Sequence, residues 1–141
     1  PKSPYRPQAQ FKIGESLLIQ GNFASAREAY QKVLGFAESS DLRASALYQI
    51  GETFYREGKY PEAITAYQEV SKTYPRSSQA EKAQQSIGWA YWKQGKFDEA
   101  RKAFSDVITK YPESDLAVSS RYLIANSFYY EKKYEGLTAK L

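Results

Sequence analysis

Glu15 and Glu52 are the carboxylates of this chain best spaced for acid–base chemistry, because they hold equivalent positions 37 residues apart. On neighbouring packed helices, ~8–10 Å apart, such a pair would be compatible with an inverting glycoside-type mechanism. Two solvated glutamates on a helix surface are the favoured reading, since charged residues are seldom buried without partners. The other catalytic sets are missing altogether. The sequence contains no His, Cys or Met, which removes Ser-His-Asp and Cys-His catalysis, His- or Cys-ligated zinc and thiol redox work. Its glycines stand singly, so no phosphate-binding loop is formed. Asp98-Glu99 and Glu113-Asp115 suit the starts of helices, where the dipole favours acids, better than the oxygen cluster of a hard cation. A non-enzyme with no cofactor and no metal is expected. What the chain has in abundance is aromatic surface: 2 Trp, 13 Tyr and 7 Phe, or 16% of its residues.

The elements that carry these rings are set by an internal repeat of 37 residues. Ile13, Ile50, Ile87 and Ile124 recur at that interval, as do Gly14, Gly51, Gly88 and Ala125, and Phe23, Tyr60, Phe97 and Tyr134. Ala26, Ala63 and Ala100 follow in register, then Tyr30, Tyr67 and Phe104, then Val33, Val70 and Val107, then Ser40, Ser77 and Ser114. Each unit predicts two helices. The first carries apolar residues at helical spacing, as in Leu47, Ile50, Gly51 and Phe54, begins after a serine able to cap it, and ends in Gln20-Gly21-Asn22, Glu57-Gly58-Lys59 or Gln94-Gly95-Lys96. The second opens at the aromatic, with Pro61 suited to a first helical position, and stops at Tyr74-Pro75 or Tyr111-Pro112. The glycine column is expected to face the alanine column of the second helix, where bulk would force the pair apart.

These columns resemble the tetratricopeptide repeat, with two departures. The period is 37 instead of ~34, and Gln10, Leu47, Gln84 and Arg121 stand where the repeat usually has tryptophan. Both fit a bacterial subtype with Tyr-Pro-x-Ser links. It is similar to the family of the periplasmic repeat protein of the Tol–Pal system and, more loosely, to that of the lipoprotein of the outer-membrane β-barrel assembly machinery. The resemblance covers about residues 8–135. It implies an all-α fold, a right-handed α-solenoid of three full helical hairpins and part of a fourth. The expected layout is a proline-rich linker at 1–7 followed by a repeat domain at 8–141, with repeats at about 7–40, 41–77, 78–114 and a partial 115–141. Gly136 and Leu137 stand where other units have Glu and Ala, so a short or displaced last helix is expected.

Sorted by column, ten aromatics are expected in the core: Phe23, Tyr30, Phe54, Tyr60, Tyr67, Tyr91, Phe97, Phe104, Phe128 and Tyr134. Tyr74 and Tyr111 are expected to pack over the inter-repeat turns, Tyr5, Phe36 and Tyr130 fit no column, and Phe11, Tyr48, Tyr55, Trp89, Trp92, Tyr122 and Tyr129 remain as stripes on the other face of the first helices. In the family that face lines a concave groove. The resemblance therefore implies a partner-binding groove of Tyr48, Glu52, Tyr55, Arg56, Trp89, Trp92, Lys93, Tyr122, Asn126 and Tyr129, which takes a protein or peptide segment. The alternatives are self-association through the uncapped C-terminal repeat, glycan or peptidoglycan stacking on the rings, and burial of the stripe between helices.

A net charge of +4 is spread among acids, without the basic stripe that nucleic acid needs. No apolar stretch reaches the ~18–20 residues of a membrane span. The proline-rich start is expected to continue from an upstream segment, for which a lipid anchor is compatible with a periplasmic or outer-membrane location.

Overall fold

A computed structural model describes residues 6–139, and every regular element among them is an α-helix. These are α1 (Arg6–Ile19), α2 (Phe23–Phe36), α3 (Ser40–Arg56), α4 (Tyr60–Thr73), α5 (Ser78–Lys93), α6 (Phe97–Lys110) and α7 (Asp115–Ala139). The fold is all-α, of the helical-hairpin class that the columns predict. Residues 1–5 of the proline-rich start lie outside the described residues. Arg6 and Pro7, expected in the linker, instead open α1, where a proline sacrifices no hydrogen bond because first-turn N–H groups lack intrahelical partners. The chain divides into two compact units, Pro1–Ala80 and Glu81–Leu141.

The signals that end each helix act as their chemistry requires. Gly21, Gly58 and Gly95 adopt φ of 80°, 81° and 75°. In this left-handed conformation the residue after each glycine bonds back to the carbonyl five positions earlier, as in Lys59 N–H to Phe54 O at 2.8 Å and Lys96 N–H to Tyr91 O at 2.9 Å. The Ser77 and Ser114 hydroxyls accept the N–H groups of Gln79 and Leu116 at 3.1 and 3.0 Å. In the first link the cap is Ser39, one residue before the Ser40 column, and it accepts from Leu42 N at 3.3 Å.

In the first unit, α1 packs on α2, α2 on α3 and α3 on α4. In the second, α6 packs on α7, and Gln84 of α5 donates to the Ala103 carbonyl of α6 at 3.2 Å. The centre of each hairpin is one fully buried ring, Tyr30, Tyr67 or Phe104. What comes nearest to the first-helix glycine is that ring. A Cβ at Gly14, Gly51 or Gly88 would come within 2.6, 2.6 or 2.4 Å of a ring carbon. The alanines Ala26, Ala63 and Ala100 are themselves fully buried. Gly51→Ala is expected to lower stability by about 1–3 kcal/mol, because Tyr67 is enclosed and its hydroxyl is tethered to Glu52 at 2.7 Å. Urea denaturation checks this, and an unchanged midpoint would contradict it.

The fourth repeat differs from its expected form. No second helix begins near Tyr134, and α7 runs unbroken through that region. The physical reason is one residue: the turn column of Gly21, Gly58 and Gly95 continues to Lys132, which disfavours the left-handed turn that stops the other first helices. With no second helix following α7 among the described residues, Phe128 and Tyr134 are 57% and 48% exposed, not core as their columns predict. Tyr134 instead lies beside Gly95 and Phe97, with ring centroids 6.0 Å apart in the latter pair.

Candidate functional site

In the first unit the predicted residues Tyr48, Glu52, Tyr55 and Arg56 all project from α3. Tyr48 is half-buried with its ring 5.6 Å from that of Tyr67, and Tyr55 is half-buried and edge-on to Tyr60 at 5.3 Å. The stripe is thus anchored along one side by α4 of its own hairpin. Burial pushes the Tyr55 phenol up to about 12, with the neighbouring Tyr60 and Glu52 adding to it. Burial, followed by Glu52, pushes Tyr67 higher still. Both phenols are therefore neutral donors at any biological pH. Glu52 is half-buried and accepts the Tyr67 O–H, so it is occupied by a structural contact. Its column neighbour pairs differently: Glu15 lies 3.4 Å from Lys12, and the buried Tyr30 hydroxyl has no hydrogen-bond partner. Arg56 is exposed.

In the second unit Trp89 and Trp92 of α5 are half-buried, with ring centroids 5.4 Å apart. Trp89 occupies the Glu52 column and meets Phe104 edge-on at 5.9 Å. Where the ring below has no hydroxyl, an aromatic replaces the carboxylate. Trp92 packs on Phe97 at 5.5 Å and on Tyr130 of α7 at 5.5 Å, and Lys93 is exposed beside them. Asn126 of α7 is half-buried. Tyr122 and Tyr129 belong to a different situation, 67% and 65% exposed, with no second helix following α7 among the described residues.

Two arginines outside the repeat columns join helices of each unit. Arg27 lies over the Phe54 ring at 4.2 Å and donates to Thr53 Oγ1 and Glu57 Oε1, both at 3.3 Å. Arg101 lies over Phe128 at 4.1 Å and donates to Ser127 Oγ at 3.0 Å and Glu131 Oε1 at 3.1 Å. Each clamps a second helix to the next first helix within its unit. The signal was a double period, interrupted by Ile64 at the intervening position. The Lys59 ammonium, joined by Arg27, holds the Glu57 carboxyl below the usual range against partial desolvation. This contact supports the fold above the ordinary carboxylate pKa and is lost as pH falls through the depressed one. Arg101→Ala is expected to cost about 1–2 kcal/mol, reduced from the value of a buried charged hydrogen bond by solvent screening. It is also expected to speed amide exchange in α7 more than in α5, and equal protection in both helices would contradict the clamp.

Among the described residues no group of three or more His, Cys, Asp or Glu could hold a metal ion, and no helix is long and apolar enough to cross a membrane. The arrangement is one of ring faces and exposed cations.

A family model described as outer membrane lipoprotein (YfiO) matches residues 40–137, and a tetratricopeptide repeat model matches residues 2–42. No curated protein matches the chain. Among solved structures it is similar to the TPR2AB domain of yeast Sti1 in complex with an HSP90 peptide, with a TM-score of 0.77 and 18% identity over 96% of this chain and 51% of that one. The chain thus spans about half the length of that relative. It is also similar to PcrH in complex with the chaperone binding region of PopB, with a TM-score of 0.67 and 14% identity over 89% of this chain and 94% of that one. MamA is a third likeness, with a TM-score of 0.62 and 22% identity over 99% and 84% of the two chains. At these identities the likenesses establish the fold, and the match over residues 40–137 establishes the family: the chain belongs to the outer membrane lipoprotein (YfiO) family and is built of tetratricopeptide repeats.

Proposed function

We propose that this chain is a non-catalytic protein-interaction scaffold of the bacterial envelope that binds partner segments on the open faces of α3 and α5. The observation that carries the reading is the state of the rings. Tyr48, Tyr55, Trp89 and Trp92 are each fixed along one side by a second helix, yet are only half-buried. Rings held in this way lose little conformational entropy when a partner covers the remaining surface, which is the property of interface hot spots. Arg56 and Lys93 are exposed beside them and make no ion pair with a described residue. They would select acidic side chains or a terminal carboxylate on the partner. The repeat proteins bound to an HSP90 peptide and to the PopB segment support the same class of function here. Of the two envelope families the sequence resembles, the match over residues 40–137 favours the lipoprotein type, which supports an outer-membrane-associated location facing the periplasm.

A random peptide library tests the reading directly. Selection on the whole chain, with Tyr55→Ala/Trp92→Ala used for counter-selection, is expected to yield acidic segments with large apolar residues. If every selected peptide bound both proteins equally, the faces of α3 and α5 would not be the binding surface.

A further inference from the structure

We infer that the first unit carries a specificity subsite between α1 and α3, in which Ile19 takes an apolar side chain of the bound segment, Arg56 takes an acidic one, and the Tyr30 hydroxyl holds a main-chain carbonyl between them. The inference rests on the binding reading given for α3 and extends it to a helix that reading does not use. Ile19, Arg56 and Lys93 are equivalent residues 37 apart, the last of α1, α3 and α5. Ile19 is 82% exposed, and both cations are exposed. That exposure belongs to the column: α1 packs beside α3, and Arg56 stays exposed all the same. Ile13 is the contrast. It is exposed as well, but Ile50 and Ile87 of its column are buried, so its exposure depends on what stands beside the helix and marks no site.

A single exposed isoleucine is ordinary; what marks this one is the phenol one helical turn away. Glu15 lies four residues before Ile19 on the same face of α1, and its neighbour Gly14 lies against the Tyr30 ring. In the second hairpin the equivalent phenol, Tyr67, donates to Glu52 at 2.7 Å. In the first, Glu15 lies 3.4 Å from Lys12 instead, and the Tyr30 hydroxyl is buried without a hydrogen-bond partner. Burial pushes this phenol up to about 12, Glu15 adding to the rise and Arg56 opposing it. It is therefore a neutral donor that feels charged groups of both α1 and α3. A buried donor left unmet favours a ligand that brings an acceptor. Glu15 beside it would repel a carboxylate, so the acceptor is neutral, as a main-chain carbonyl is. The Glu15 side chain is 40% exposed and paired with Lys12 at the surface, and it gives way to the segment at little cost. Arg56 makes no ion pair with a described residue and takes the acid. Packed helices stand ~8–10 Å apart and an extended segment advances ~3.3 Å per residue, so the apolar and acidic residues are about two or three positions apart.

A random peptide library displayed on phage, selected separately on the whole parent chain and on its Ile19→Arg and Tyr30→Phe variants, tests the subsite. Peptides from the parent are expected to carry an apolar residue two or three positions from an acid. Ile19→Arg repeats the residue that α3 has in this column and is expected to enrich two acids at that spacing. It is also expected to bind the parent's peptides about tenfold more weakly, with unchanged circular dichroism. Tyr30→Phe gives the first hairpin the ring that Phe104 supplies in the third. It is expected to keep or raise the urea midpoint while weakening the parent's peptides about fivefold, the size of one hydrogen bond. A hydroxyl with a purely structural role would lower the midpoint and leave affinity alone. The same motif from parent and Ile19→Arg would overturn the proposal, as would unchanged affinity in Tyr30→Phe. Either result leaves the reading for α3 and α5 standing as long as Tyr55→Ala/Trp92→Ala still loses the parent's peptides. If that double variant bound them unchanged, the reading itself would fail and the subsite with it.

Discussion

Phe104→Ala is expected to destabilise the protein by roughly 3–5 kcal/mol, the range for removing a large aromatic from a closed core. The ring is fully buried, sits directly under Gly88 and receives the edges of Trp89 and Trp92. Neither glycine nor the indoles can close the space without moving α5 against α6. Phe128→Ala removes a ring of the same size from α7, yet Phe128 is 57% exposed and stacks with Arg101 at the surface. A loss of about 1 kcal/mol or less is expected there. Urea titration of both variants measures the contrast. Equal losses would mean that the hairpin is not centred on the Gly88–Phe104 contact.

The second large effect is on binding. Tyr55→Ala and Trp92→Ala are each expected to weaken a library-selected peptide that contacts their face by at least ~30-fold, the magnitude of a 2 kcal/mol hot spot. Each ring is supported from below, Tyr55 by Tyr60 and Trp92 by Phe97, so truncation removes pre-positioned surface. Arg56→Ala is expected to act less strongly and to flatten the salt dependence, because an exposed cation contributes mainly through screened attraction. Isothermal titration at two salt concentrations distinguishes the two behaviours.

Much of this architecture is legible in the residues because repetition supplies its own alignment. The glycines at 21, 58 and 95 and the Tyr-Pro links mark helix ends through backbone chemistry that needs no tertiary information. The helix-capping serines and the buried column of Tyr30, Tyr67 and Phe104 follow in the same way. The contact made by the glycine column is harder to foresee. Alanine and the ring four residues later lie on the same face of the second helix, and the crossing of the two helices brings the ring nearest to the glycine. The continuous α7 was legible in principle, through Lys132 in the turn column, but Gly136 and Leu137 drew the expectation toward a displaced second helix. The exposure of Phe128 and Tyr134 has no local signal, since it depends on whether a second helix follows α7, and none does among the described residues. For the site, the stripe on α3 and α5 is legible by subtraction of core columns. The engagement of Glu52 by Tyr67 and the arginine clamps are tertiary contacts, and the second is obscured because it repeats every second unit.

Amide hydrogen exchange on the whole chain, with and without a saturating library-selected peptide, tests the central claim most directly. Peptides dock on the first-helix faces in this account, so added protection is predicted in α3 or α5, together with quenching or shifting of Trp89 and Trp92 emission for peptides on α5. Protection confined to the outer surfaces of α2, α4 or α6, with α3, α5 and the tryptophan emission unchanged, would contradict it.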